Sequence, residues 1–345
     1  MIKVCHMTSA HEEEDIRIFR KECVSLAEAG YDVYLVERGD SYDKNGVHIV
    51  GVGEIPTSRL KRMTEGAKMV YQAARALDAD IYHFHDPELL PYGLKLKKAG
   101  KKVIFDSHEM YTEQIREKPY LPHWFARLLS HAYGKYESHV LGRIDGLVYT
   151  CLKDGVHPFA GKCRHITTID NTPMLWELYD RYDPAAKKEA GSVVYVGGLS
   201  YARGITHLIT AAAKADCTLY LAGMFDSEEY RHTVEALPGY SCVQYLGLLG
   251  REQVVALLQR CCVGAATLLN IGQYNQDDNL ATKVYEYMSL GIPVLLSRSA
   301  YNERVMNQHH FGLCVEPDNI DELAQAIRYL LDHPDEARQM GENGR

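Results

Sequence analysis

The chain has 345 residues and a mass of 39.0 kDa, about twice the ~150 residues expected of one domain, so two domains are predicted. Its composition, 46% hydrophobic and 24% charged with a mean hydropathy of −0.27, excludes collagen-like, mucin-like and disordered chains. The formal charge of −8 argues against a nucleic-acid partner and lies wholly in the second half: residues 1–175 carry 24 basic and 24 acidic side chains, the remainder 14 and 22.

In chain order, the first half offers the β-rich runs IKVCHM, DVYLVE, DIYHFH, KVIFDSH and GLVYTC, followed by HITTIDN. Helical patterns lie between them, notably RIFRKECVSLAEAG, closed by Gly30, and KMVYQAARALDAD. Short strands separated by helical spacers predict βαβ units and a parallel sheet. Residues 56–104 carry ten basic and five acidic side chains, which fits a solvated helix face, an anionic membrane surface or a phosphorylated substrate. Residues 172–191 show no strand and are predicted to be a linker. The second half restarts with SVVYVGG and continues through CTLYLAG, CVQYLG, VGAATLL, IPVLLS and GLCVEP, with the helical EQVVALLQR, TKVYEYMSL and DELAQAIRYLLDH between them. The expected fold class is α/β: two doubly wound Rossmann-like domains, 1–171 and 192–345, facing across a cleft. No apolar run reaches the ~18 residues of a membrane helix, and no export signal opens the chain. Nine cysteines, an odd number with no Cys-x-x-Cys pair, suit a reducing compartment, so a cytoplasmic protein is expected.

Ligands of such sheets lie beyond the carboxyl ends of the strands, so the residues after each run are the candidates. In DDNLATKVYEYMSLGIPVLLS, Asp278 and Asn279 are expected to cap a helix of about ten residues that ends at Gly291. Lys283 and Glu286 share one face near its positive end, where a lysine suits a phosphate and a carboxylate suits ribose hydroxyls. A surface ion pair worth at most ~0.5 kcal/mol is the competing explanation. In VVYVGGLSYARGITHLITA, Gly197 and Gly198 permit close backbone approach, and Arg203 can fork onto phosphate oxygens. The stretch satisfies neither the dinucleotide fingerprint nor the P-loop pattern, so an ordinary tight turn competes.

The first half carries HFHDPELLP and FDSHEMYTE. His83 and His85 alternate onto one face, with Asp86 next, in the manner of metal ligands. No second His-x-His or Cys-x-x-Cys completes a set, so no metal site is predicted. Asp106, His108 and Glu109 follow a β-rich run, as cleft residues do. The stretch SAHEEEDIRIFRKE adds His11, Asp15 and Arg17, with Glu12 to Glu14 as the expected helix start. Asp78-Ala79-Asp80 enters its strand from the wrong end to bind a metal there. No Gly-x-Ser-x-Gly nucleophile elbow occurs.

Taken together, VVYVGGLSYARGI, NLATKVYEYMSLGIPVLLS and GLCVEPDNIDELAQAIRYLLDHPDEARQMGENGR resemble glycosyltransferase family 4, retaining transferases of the GT-B fold. DIRIFRKECVSLAEAGYDV, HFHDPELLP and FDSHE resemble a subgroup that builds bacterial surface polysaccharides. The resemblance implies a nucleotide-sugar donor, UDP-linked in the favoured case, on the second domain and a glycan or lipid-diphosphate-linked acceptor on the first. Arg203 and Lys283 match the residues that flank the diphosphate, and Glu286 matches the ribose-binding acid. Asp278 stands where members often have a second Glu, with Asn279 beside it; Gly198 and Gly223 fall at the donor-side strand ends. His108 is expected to line the donor sugar, with Asp106, Glu109, His85, Asp86, His11, Asp15 and Arg17 on the acceptor side. The implied mechanism needs no cofactor, no metal and no protein nucleophile, and it includes domain closure over the donor. Peripheral attachment to the cytoplasmic face of the inner membrane is a further implication. Members usually continue into a terminal helix beyond the point where this sequence stops. The competing functions are a non-catalytic GT-B partner subunit and a nucleotide-sugar epimerase on the same fold.

Overall fold

A computed structural model of the chain describes residues 1–116, 118, 121–153, 155–271 and 278–345. The chain divides into two units, Met1–Leu152 with Val156–Asn171, and Lys153–Gly155 with Thr172–Arg345. Residues 172–191, expected as a linker, cluster with the second unit and carry a short helix, Leu175–Leu178, that buries Leu178.

The first unit is an eight-stranded sheet formed by β1 (Lys3–Met7), β2 (Asp32–Glu37), β3 (Tyr42–Lys44), β4 (Val47–Gly51), β5 (Ile81–Phe84), β6 (Lys102–Ser107), β7 (Gly146–Tyr149) and β8 (His165–Thr168). Their spatial order is β3-β4-β2-β1-β5-β6-β7-β8, and every pairing is parallel except β3 with β4. Both faces are covered. Cys5, Met7, Tyr82, Phe84, Val103 and Phe105 pack to one side with Val70 and Leu90, and Val33, Leu35, Val47 and Ile49 pack to the other against Ile18 and Phe19. Burial on both faces is what parallel sheets require and what their continuous apolar runs encode. The edge pair β3–β4 had no such signal: β4 reads VHIVG with His48 exposed.

The second unit is a six-stranded, wholly parallel sheet: β9 (Ser192–Val196), β10 (Thr218–Ala222), β11 (Val243–Gly247), β12 (Val263–Ala266), β13 (Val294–Ser297) and β14 (Gly312–Val315), ordered β11-β10-β9-β12-β13-β14. Val193, Tyr195, Leu219 and Leu221 face the helices Ile205–Lys214 and Ile320–Asp332; Val194, Tyr220 and Ala222 face Arg251–Arg260 and Thr282–Ser289. In each unit the chain leaves its first strand to one side and returns on the other. β1 thus sits between β2 and β5, and β9 between β10 and β12. These are the topological switch points, where strand-end loops diverge and open a crevice. Among the described residues, no helix is long and apolar enough to cross a membrane.

Two helix starts differ from expectation. The first helix begins at Ile16, capped by Asp15, whose carboxylate accepts from the backbone N–H of Arg17 (2.8 Å) and Ile18 (3.0 Å); Glu12 to Glu14 precede it. Over Ile16–Cys23 it is wound as a π-helix before becoming α-helical over Val24–Glu28. In the second unit the helix Thr282–Ser289 spans eight residues and starts after Ala281, so Asp278 and Asn279 lie ahead of it and do not cap it. Gly291 terminates it at φ +63°, as predicted for a glycine stop.

Candidate functional site

At the switch point of the second unit, a pocket of about 500 Å³ is lined by Gly197, Arg203, Arg251, Asn279, Lys283 and Glu286, among others. The loop after β9 supplies Gly197 and Arg203; the helix after β12 supplies Lys283 and Glu286. Gly197 (φ +134°) and Gly223 (φ +146°) end neighbouring strands so closely that a Cβ on Gly223 would lie 1.9 Å from the Gly197 carbonyl oxygen. Only glycine fits there, and the strand ends stay open to a ligand. Gly198 and Gly223 also line an adjoining pocket of about 250 Å³.

Lys283 is 8% exposed, and its Nζ has no hydrogen-bond partner among the described residues. The ammonium lies 3.5 Å from the centroid of the Tyr195 ring, a cation–π contact that compensates burial only in part. Burial, with Arg203 adding like charge, holds its pKa well below the ordinary lysine range. The surface ion pair entertained from sequence is therefore not what forms. Glu286 is bound instead by Arg251, whose Nη1 donates to Oε1 at 2.7 Å, while Nη2 stands 3.5 Å from Glu177. Arg251 opens the preceding helix and carries no sequence signal, because nothing local ties it to a residue 35 positions away. Asp278 accepts from the backbone N–H of Gly155 and stands 3.9 Å from Arg304 Nη2; it is absent from the residues lining the larger pocket, whereas Asn279 lines it.

In the first unit the predicted residues separate into two layers. A pocket of about 730 Å³ is lined by His11, Asp86, Glu88, His108, Glu109 and Tyr111, with further aromatic and basic side chains. Asp86 is anchored beneath it: its Oδ2 accepts from Thr8 Oγ1 (2.9 Å) and from the Ser9 N–H (2.6 Å), and Oδ1 faces His11 Nε2 at 3.5 Å. Burial raises the Glu109 and Glu88 carboxyls above their ordinary range.

Asp106 and His85 were expected in a cleft, but both are fully buried and line no such surface. Asp106 lies near the end of β6 and His85 directly follows β5. Arg17 is likewise buried and clamps Asp106 with two bonds, Nε to Oδ2 (2.9 Å) and Nη2 to Oδ1 (3.1 Å). Asp106 also meets His108 Nε2 at 3.1 Å and His85 Nδ1 at 3.4 Å. Burial alone would raise this carboxyl, yet the bonds from His108, His85 and Arg17 hold it well below the usual carboxylate range. Beyond His85 lie His6, His83 and Glu22, of which sequence reasoning singled out only His83. Burial, reinforced by the neighbouring imidazoles, depresses His6 well below its ordinary value and His83 to about 3.

Residues 19–152 match the model of Glycosyltransferase Family 4, and residues 180–345 match that of Glycosyl transferases group 1, one model on each unit. The chain is 26% identical over 280 residues to the D-rhamnosyltransferase WbpZ of Pseudomonas aeruginosa, a match covering 78% of this chain and 68% of that protein. It is 29% identical over 149 residues to an MMP alpha-(1->4)-mannosyltransferase of Mycolicibacterium hassiacum, covering 41% of this chain and 34% of that one. Among solved structures, sucrose-phosphate synthase from Thermosynechococcus elongatus superposes with a TM-score of 0.76 at 18% identity, covering 100% of this chain and 93% of that one. WaaG, a glycosyltransferase involved in lipopolysaccharide biosynthesis, does so at 0.69 and 15%, covering 100% and 94%. Anabaena HepE in complex with UDP matches at 0.70 and 15%, covering 99% and 93%. The chain thus carries a Glycosyltransferase Family 4 domain in its first unit and a Glycosyl transferases group 1 domain in its second, on two parallel-sheet units of the GT-B fold.

Proposed function

We propose that the chain is a retaining hexosyltransferase that moves a sugar from a nucleoside-diphosphate sugar, UDP-linked in the favoured case, to a glycan or lipid-diphosphate-linked acceptor in bacterial polysaccharide biosynthesis. The observation that carries this reading is the buried, unpartnered Lys283 ammonium beside Arg203 at the switch point of the second unit. A lysine buried with no hydrogen-bond partner among the described residues is costly to charge, and an anion delivered to it recovers that cost. The presence of UDP in a neighbour of the same fold supports the choice of nucleotide.

In this reading the diphosphate lies over Gly197 and Gly223 within reach of Arg203 and Lys283. Glu286, oriented by Arg251, accepts from the ribose hydroxyls. As the bond from the sugar to the diphosphate breaks, negative charge grows on the departing oxygen. Arg203 and Lys283 then stabilise the transition state more than the ground state. The departing phosphate oxygen takes the proton of the attacking acceptor hydroxyl on the same face, which retains configuration without a protein nucleophile. The two cations meet the phosphate charge, so no metal is needed at the diphosphate. His108, held by Asp106, lines the donor sugar; the 730 Å³ pocket with His11, Asp86 and Glu109 takes the acceptor.

A thermal-shift panel of nucleoside diphosphates tests the donor site, because a ligand of the folded state raises apparent stability. UDP is expected to stabilise the wild type and not Lys283→Met. A product of inverted anomeric configuration would refute the retaining mechanism, and the absence of a shift with every nucleotide would refute the donor site.

A further inference from the structure

We propose that His6, Glu22, His83 and His85 form a closed, four-ligand site for a divalent transition-metal ion, zinc being the best fit, inside the first unit. Four potential ligand atoms converge there. Glu22 Oε2 lies 3.8 Å from His6 Nδ1, 3.8 Å from His83 Nδ1 and 3.9 Å from His85 Nε2, and His6 Nδ1 lies 3.0 Å from His85 Nε2. One ligand atom from each of the four residues can be chosen so that all lie within 4.8 Å of one another. Ligand atoms about 2.0–2.1 Å from a tetrahedral zinc stand roughly 3.3–3.4 Å apart, so modest side-chain shifts close the set on an ion.

The backbone places these groups on firm supports. His6 and His83 are register partners on the adjacent parallel strands β1 and β5, and His85 follows two positions later on the same face. Glu22 comes from the π-helical stretch after β1. Hydrogen bonding five residues apart lets Arg17 and Glu22, five positions apart, turn to the same side, where Arg17 Nε stands 3.2 Å from Glu22 Oε1. That winding delivers a carboxylate that an α-helix would direct elsewhere.

A shared proton between His6 and His85 would account for one pair alone. On Glu22, Arg17 in turn reaches only Oε1, and neither contact explains why one ligand atom from each of the four residues converges. A cation at their centre binds all four. His85 has the outer partner that metal-bound imidazoles commonly have, since its Nδ1 faces Asp106 Oδ2 at 3.4 Å. His6 and His85 are fully buried, His83 is 8% exposed and the Glu22 side chain is 11% exposed, leaving no open coordination position. The ion is therefore structural. It fixes His85 and, through it, the Asp106 carboxylate that orients His108. It is distinct from the donor chemistry of Arg203 and Lys283, so either proposal can fail alone.

The test uses the full chain, purified without a histidine tag. Elemental analysis is expected to give about one zinc per chain. Chelator-stripped protein is expected to take up one equivalent of cobalt(II) with the intense visible bands of a tetrahedral ion, and X-ray absorption of the zinc form to show nitrogen and oxygen ligands only at about 2.0–2.1 Å. His83→Gln and Glu22→Gln should each weaken cobalt binding by ~100-fold or more, Asp106→Asn by ~10–100-fold. His48→Gln, on exposed β4, should change nothing. Stripped wild type that takes up neither zinc nor cobalt overturns the proposal, as do sulfur ligands in the absorption spectrum or undiminished binding in folded His83→Gln and Glu22→Gln. If a variant fails to fold, the wild-type cobalt and absorption spectra decide alone.

Discussion

Replacing Lys283 with methionine separates what its ammonium costs the free protein from what it contributes to anion binding. Methionine keeps most of the side-chain length and removes the charge. In the wild type Nζ is buried with no hydrogen-bond partner among the described residues and rests 3.5 Å from the Tyr195 ring centroid. Leaving a buried polar group unpaired costs about 1–3 kcal/mol. The aromatic face returns roughly 0.5–1 kcal/mol, or about 2 when the pair is desolvated. The balance favours the variant by about 1 kcal/mol, a rise of roughly 2–4 °C in Tm for a unit of this size. Against a diphosphate the sign reverses. A hydrogen bond to a charged group contributes about 1.5–3 kcal/mol, so UDP affinity should fall by roughly tenfold to 150-fold. Scanning fluorimetry of the free protein and calorimetry with UDP read the two effects, and uridine, which lacks phosphate, should bind both proteins within about twofold. Burial and Arg203 depress the Lys283 pKa in the free protein, and a bound anion raises it again. Wild-type binding therefore takes up a proton and weakens as pH rises through the free-protein value, and the variant loses that dependence. Unchanged UDP affinity, or a free variant less stable than wild type, would refute this account of Lys283.

Arg251→Ala removes the group that orients Glu286, so UDP should bind about tenfold more weakly while inorganic diphosphate is held as before; equal losses for both ligands would contradict the ribose role. Gly223→Ala places a Cβ 1.9 Å from the Gly197 carbonyl oxygen at φ +146°, and chemical denaturation should show a loss of about 1–3 kcal/mol together with weakened UDP binding. Burial lifts the Glu37 carboxyl from 4.5 to about 7. The folded state then holds a proton that the unfolded chain has released, so this group's contribution to stability falls as pH rises from about 4.5 to 7. Glu37→Gln should flatten that part of the stability profile; an unchanged slope in urea titrations would assign it to other groups.

The architecture was legible because parallel strands buried on both faces must be continuous apolar runs, and most of the runs read from the sequence are of that kind, the exposed β8 (HITT) excepted. β3 and β4 escaped because an edge pair needs only one covered face. Arg203, Lys283 and Glu286, which the structure gathers around one pocket and which we propose for the donor, were legible for a local reason: each follows a strand end at a switch point, and strand order is implied by the βαβ pattern. Sequence alone left Lys283 and Glu286 as possible partners of each other, since spacing records a shared helix face but not burial. Tertiary packing decided that Arg251 takes Glu286 and that Tyr195 lies under Lys283.

The first unit shows the opposite balance. His83 and His85 were visible as an alternating pair, yet Asp106 and His85 were placed in a cleft that they do not line, because a strand end looks the same from sequence whether a loop covers it or not. His6 gained meaning only from its register with His83 across two strands 77 residues apart in the chain. Glu22 was hidden by the π-helical winding, which no 3.6-residue periodicity anticipates. The sequence by itself determined the local alternation of strand and helix and hence the fold, because those choices depend on neighbouring residues. Which buried polar groups meet was decided only by the tertiary structure, because that depends on register, winding and the cover supplied by distant segments.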